Sequence, residues 1–397
     1  MFLKTLIQRN PSFLSAAVNL HQAGEIPANS YVLDLDTMQA NARIISEEAK
    51  RLGVKVYAMS KQFGRNPQAF RALADGGIDH YVAVDFACAR VVHHAGYQVG
   101  HLGHLVQIPQ GEAFAAAKMQ PDYWTVFSLD KAREASKASG KAGHRQKLLA
   151  RLFADGDTFY MGHEGGFPAS EITAIANSFD TLPNASFAGI TSFPALLFDT
   201  STHKVFITPN VKTLEKAANA LNKAGRKDIE INMPGTTSSK VMEMLAAAGA
   251  TQVEPGHGLT GTTPLHAVED LPESPAVLYL SEVAHTYNGK PYCFGGGLYI
   301  DPVFPPYDVQ ALVGADPDAA LGNMVSATLP PPAAIDYYGI LTPGNKPIRT
   351  GDTVIFGFRV QAFFTRGYIV PVSGIAQGKP KVEGVWTPDG QKVAWPG

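Results

Sequence analysis

Cysteine is scarce: Cys88 and Cys293 are the only two in 397 residues. Two thiols cannot build a disulfide framework or a cysteine-rich zinc site, and such scarcity suits a reducing compartment, so a cytoplasmic location is expected. Charge of one sign is also missing. Lys and Arg number 33 against 35 Asp and Glu, a net charge of −2, which gives no electrostatic footprint for nucleic acid or an anionic membrane. Long apolar runs are absent too. The N-terminal stretch MFLKTLIQRNPSFLSAAVNL is broken at Gln8, Arg9, Asn10 and Pro11, so residues 1–30 are expected to form a short helical lead-in rather than a signal or an anchor. No internal repeat or low-complexity tail is visible. A small, neutral metabolite is the partner that these exclusions leave, on a chain long enough for a large barrel with an appendage.

What is present is alternation. β-rich runs separated by helical stretches of ten to fifteen residues extend from Tyr31 to about Gly261, the pattern of parallel βα units. Eight runs can be counted: VKVYAMSK ending at Lys61, HYVAVD at Asp85, HLGHLVQI at Ile108, YWTVFS at Ser128, KLLARLF at Phe153, FAGITSF at Phe193, IEINMP at Pro234 and TQVEPG at Gly256. The sequence therefore predicts an α/β fold, a (β/α)8 TIM-type barrel over residues 31–270, which closes without a free sheet edge and places chemistry at the carboxyl ends of its strands. From residue 271 to 397 the runs lack helical spacers (PAVLYLSEVAHTY, PYCFGGGLYID, TVIFGFRVQAFF, GYIVPVSGI) and predict a separate C-terminal β domain. The proline-rich stretch from Thr328 to Ala334 is expected to be a loop within it.

Lys61 ends the first predicted barrel strand. Apolar walls there would lower the amine's pKa and expose a nucleophile suited to a Schiff base, while a snorkelling surface lysine is the plain alternative. Gly235-Thr236-Thr237 and Gly256-His257 follow the last two strands, the usual seat of a phosphate in such barrels, although helix caps and turns have the same composition. Glu254, beside that second turn, needs a cationic partner if it faces the interior; a protonated pyridine nitrogen would serve, and so would a structural salt bridge. His104 and Gln107, near the end of the third strand, either face a ligand or satisfy structure.

Three stretches carry a resemblance over nearly the whole chain: Tyr57 to Asn66 (YAMSKQFGRN), Gly103 to Pro109 (GHLVQIP) and Glu254 to Gly261 (EPGHGLTG). They resemble fold-type III pyridoxal phosphate enzymes of the alanine racemase type, and most closely the YhfX proteins. The resemblance implies pyridoxal 5'-phosphate as cofactor, Lys61 as the lysine that carries it, and Gly235, Thr236, Thr237, Gly256 and His257 around its phosphate. Arg65 stands where alanine racemases place a phosphate-contacting tyrosine. His104 is expected to face the cofactor.

The sequence also departs from the racemase pattern. Glu254 stands where racemases have an arginine against the pyridine nitrogen, and its Glu-Pro-Gly setting is similar to that of ornithine and diaminopimelate decarboxylases. Ser192 occupies the place of a histidine that packs on the ring in many relatives. The segment Tyr292 to Gly297 is similar to the one that delivers the second, cross-subunit acid/base tyrosine of alanine racemase, but Phe294 aligns with that tyrosine, so Tyr292, Cys293 or Tyr299 must substitute. D-threonine aldolases and D-serine dehydratases bind a metal in the β domain; Asp336 to Tyr338 and Gly357 to Val360 stand in those places, and no metal is expected. The leading expectation is an amino-acid racemase or epimerase with catalytic Lys61, Cys293 and Tyr292. The alternatives are a decarboxylase, a non-catalytic carrier of the cofactor, and a cofactor-free Schiff-base aldolase. A homodimer with active sites at the subunit interface is implied by the same likeness.

Overall fold

The structure is a computed structural model that describes residues 1–299, 307–359 and 361–395. The chain divides into two compact units, one of residues 43–60 and 77–256, the other of residues 1–42, 61–76 and 257–397.

The first unit is a parallel barrel. Its strands run Lys55–Val56 with Ala58–Met59, His80–Ala83, Gln98–Leu102, Tyr123–Val126, Gln146–Phe153, Ala185–Thr191, Glu230–Asn232 and Gln252–Val253. Neighbours in the chain are neighbours in the sheet, and the eighth strand returns to the first. The first strand is interrupted at Tyr57: its earlier half pairs with the eighth strand and its later half with the second. Backbone bonds from Tyr57 N to Val253 O (3.0 Å) and from Met59 N to Pro255 O (2.9 Å) continue the closure across the interruption. Every predicted strand is present, but the third lies at Gln98–Leu102 rather than His101–Ile108. Gly103 turns the chain at φ 74°, a left-handed conformation that ends the strand. Gln107 then pins the apolar run that follows, donating to the carbonyls of Gly103 (3.3 Å) and Thr125 (3.1 Å). Helices between strands begin on conventional caps, as where Ser128 accepts from Lys131 N (3.2 Å) and Asp85 from Cys88 N (2.7 Å).

The second unit is built on an antiparallel sheet. Six strands, Lys290–Phe294, Tyr338–Thr342, Met324–Thr328, Val309–Gly314, Thr353–Phe356 and Val277–Tyr287, pair in that order and close on themselves. The strand Ser30–Asp34, at the start of the predicted barrel segment, belongs to this sheet: it lies antiparallel to Val277–Tyr287 and parallel to Tyr368–Ser373. The lead-in is two helices, Phe2–Arg9 and Pro11–Gln22. Their Leu3, Leu6, Phe13, Leu14 and Val18 share one apolar core with Val32, Leu278, Ile355 and Val370, so the N-terminus is structural. The proline-rich stretch is a loop with one short turn, Pro332–Ala334, between two strands. No described helix is long and apolar enough to cross a membrane.

Candidate active site

In the barrel unit the polar groups gather at the strands' carboxyl ends. Glu254 directly follows the eighth strand and its side chain has no exposed surface. A bare carboxylate there would be severely destabilising, so its partners define the site. Its Oε1 accepts from Asn232 Nδ2 (2.8 Å), on the seventh strand, and from His101 Nδ1, on the third. The far nitrogen of His101 meets Thr125 Oγ1 (2.6 Å), on the fourth strand, and Thr191 Oγ1, on the sixth, donates to Asn232 Oδ1 (2.8 Å). Oε2 has no hydrogen-bond partner among the described residues and lies 3.5 Å from His104 Nε2. Burial alone would push this carboxyl upward, but His104, His101 and the bonds from His101 and Asn232 outweigh it and hold it down at about 2. The site thus contains an anion with one oxygen doubly hydrogen-bonded and the other facing His104 without a hydrogen bond from a described residue.

His101, His104 and Glu254 place one ligand atom each within 4.8 Å of one another. Both nitrogens of His101 are already committed, so the geometry is that of a braced carboxylate rather than a coordination shell. His104 is buried, with its ring edge-on to Phe193 at 5.5 Å.

The turn after the seventh strand has a second set of open groups. Thr236 Oγ1 and Ser238 Oγ are buried with no hydrogen-bond partner among the described residues. Ser238 occupies the N-cap of the helix Ser239–Ala247 yet makes no side-chain cap bond. Thr237 N donates to Gly235 O (3.0 Å). A Cβ on Gly235 would stand 2.7 Å from the backbone nitrogen of Leu196, so only glycine lets the turn pack this closely. An acceptor with several oxygens, such as a phosphate, would satisfy these donors.

Arg151, on the fifth strand, has no exposed surface and forms no ion pair with a described residue. It donates to the carbonyls of His104 (3.5 Å), His163 (3.1 Å) and Phe193 (3.2 Å), tying three strand-end loops together. Its guanidinium lies over the rings of Phe127 (5.2 Å) and Phe159 (5.8 Å), and burial lowers it to about 10. Ser192 accepts from Asn210 Nδ2 (3.1 Å). Neither His101 nor Arg151 was singled out from sequence. A charge inside the apolar run KLLARLF makes Arg151 legible, whereas a third strand expected at His101–Ile108 puts His101 at its amino end, away from the carboxyl ends where function is sought.

In the second unit Lys61 opens a tight turn, Lys61–Phe63. Phe63 is fully buried, and Asn66 caps the helix Pro67–Asp75 through bonds from Gln68 N (2.9 Å) and Ala69 N (3.1 Å). Arg65 holds φ 54°, a conformation that costs energy in a non-glycine residue and marks a constrained turn. Lys61 Nζ and Arg65 Cζ both face the ring of Phe363, at 5.4 and 5.6 Å. His257 is buried, and its carbonyl accepts from Thr262 N (2.8 Å) and Thr260 Oγ1 (3.2 Å). Gly256 is buried at the end of the barrel segment.

Cys293, expected as a second acid/base group, lies within the antiparallel sheet. Its side chain is fully buried, and burial pushes the thiol up to about 11. Tyr292 is half-buried, with its ring stacked on His285 at 4.7 Å and edge-on to Tyr338. Asp336 accepts from Gly296 N (3.1 Å) and pairs with Arg366 (2.7 Å); Val360, in the other stretch compared with metal sites, lies outside the described residues.

A braced anion and an open, hydroxyl-lined turn at the mouth of a parallel barrel suit a ligand that carries both a phosphate and a cationic ring nitrogen. The chain belongs to the alanine racemase N-terminal domain family, whose model matches residues 33–264; a YhfX-like C-terminal domain matches residues 278–382. It is 40% identical over 384 residues to "Uncharacterized protein YhfX" of Escherichia coli (strain K12), covering 97% of each chain. Among solved structures it is similar to a D-threonine aldolase from Filomicrobium marinum (TM-score 0.69, 17% identity, 92% of this chain and 95% of that one). It is likewise similar to an alanine racemase of Clostridium difficile 630 in complex with cycloserine (TM-score 0.64, 14% identity, 91% and 99%). At such identities the structures establish the fold alone. The cofactor of this family is pyridoxal 5'-phosphate. The residues present fit it, because the buried hydroxyls of Thr236 and Ser238 and the open oxygen of Glu254 are the groups that such a molecule would satisfy.

Glu254 also makes a testable contribution to stability. Its folded pKa is depressed from the ordinary 4.5 to about 2, so its contribution is fully present above the unfolded value and is lost as pH falls through that window. The stability advantage of wild type over Glu254→Gln should therefore shrink as denaturant melts are moved from pH 5 toward acid. An advantage that stays constant across the window would contradict the braced anion.

Proposed function

We propose that the chain is a pyridoxal phosphate-dependent enzyme that acts at Cα of an amino acid, first of all as a racemase or epimerase. The observation that supports this most is Glu254, a fully buried anion with one oxygen that accepts no hydrogen bond from a described residue, which suits a protonated pyridine nitrogen. Lys61 would carry the cofactor, Arg65, His104, Gly235, Thr236, Thr237, Gly256 and His257 would contact it, and Glu254 would hold its ring nitrogen. When bound, the cofactor supplies an electron sink for negative charge at Cα. Lys61 Nζ is the base that takes and returns the Cα proton on one face. Tyr292 is the candidate for the opposite face, and it would act from a partner subunit. A second reading, decarboxylation, is favoured by Glu254 itself, since a ring nitrogen kept protonated is the deeper sink. The two buried free thiols suit a cytoplasmic enzyme.

Proton exchange at Cα, followed by NMR in deuterium oxide with a panel of D- and L-amino acids, tests the leading reading. Exchange with inversion is expected for at least one amino acid, and Lys61→Ala should reduce it by about 100-fold or more. Release of carbon dioxide without inversion would overturn the racemase in favour of the decarboxylase.

The enzyme is further proposed to be a homodimer whose β domains complete the partner's site. Tyr287, Tyr337 and Phe364, all more than 60% exposed on the β unit, support this, since exposed aromatic surface marks interfaces. A forced monomer should keep the cofactor and lose turnover; a fully active monomer would contradict the arrangement.

A further inference from the structure

Resting on the reading that Glu254 faces the pyridine nitrogen, we infer that His101, backed by Thr125, is the positioning residue that turns one oxygen of Glu254 outward and so sets the cofactor's ring-nitrogen proton. The hydrogen bonds to Glu254 are asymmetric. Asn232 Nδ2 and His101 Nδ1 both donate to Oε1, and Oε2 is left without a hydrogen-bond partner among the described residues. Two donors on one oxygen fix the rotation of the carboxylate, because turning it would break both bonds at once. They also leave negative charge on the other oxygen, which has His104 Nε2 at 3.5 Å but no hydrogen bond from a described residue and there would accept a ring N–H.

The arrangement is directional. His101 engages Glu254 with one nitrogen and Thr125 Oγ1 (2.6 Å) with the other. This fixes the ring's orientation and keeps its Nδ1 proton pointed at the carboxylate, as a carboxylate orients the imidazole in other buried dyads. Neither the imidazole nor the carboxylate has exposed surface, so water cannot substitute for either bond. In the low-dielectric interior such a bond counts for more than at the surface. Its loss would reach the ring nitrogen through Glu254 while leaving the phosphate contacts of Thr236 and Ser238 untouched.

The test compares affinity for pyridoxal phosphate with affinity for its 1-deaza analogue, in which carbon replaces the ring nitrogen. Wild type is expected to prefer pyridoxal phosphate. His101→Leu should lower that preference by about tenfold, the scale of a hydrogen bond to a charged group, with affinity for the analogue unchanged. His101→Asn, which restores an N–H donor near the Nδ1 position, should recover most of it. Thr125→Val should lose a smaller part, and it carries the test should His101→Leu fail to fold by circular dichroism. Undiminished preference in His101→Leu, or in Thr125→Val if that variant carries the test, would overturn the role of His101 with the Glu254 reading intact. Equal affinity of wild type for both molecules would overturn that reading, and this inference with it.

Discussion

A single buried carboxylate organises the barrel mouth. An anion without exposed surface can persist only where fixed donors replace its water, and for Glu254 those donors come from the third and seventh strands and are themselves held from the fourth and sixth. Five of the eight strands are thereby placed in register around one charge. A one-residue slip in any of them would turn its polar group out of the interior, so the hydrogen-bond chain specifies strand alignment as well as chemistry. The interruption at Tyr57 serves the same closure, since the eighth strand that presents Glu254 is hydrogen-bonded on both sides of it.

The barrel was legible because its parallel strands, buried on both faces, appear as short apolar runs between helices. The run HLGHLVQI misled because its apolar character continues past the strand's end, into a segment anchored by Gln107. The strand Ser30–Asp34 looked like any other apolar run. Its partners lie about 250 and 340 residues further along, and periodicity holds no information about pairing at that range. The chemistry of Cys293 is visible in the sequence, but the sheet core that encloses it is a tertiary fact.

The residues of the candidate site divide the same way. Lys61, Glu254 and the Gly235-Thr236-Thr237 turn stand at strand ends, where a barrel concentrates function, and could be named from position alone. His101, Thr125 and Asn232 act through Glu254 and become visible only when the strands are assembled. Arg151 joins three loops through carbonyl oxygens, a role that no local pattern encodes. An acidic residue at the presumed ring nitrogen and a buried thiol where a proton donor was expected both draw the proposed chemistry away from that of a simple alanine racemase.

The proposed chemistry depends on Lys61 carrying the cofactor. Reduction of the protein with borohydride in the presence of pyridoxal phosphate, followed by peptide mapping by mass spectrometry, tests it directly. A phosphopyridoxyl group on the peptide containing Lys61, absent from Lys61→Ala, is expected. Labelling at a different lysine, or none at all in a folded protein, would contradict it.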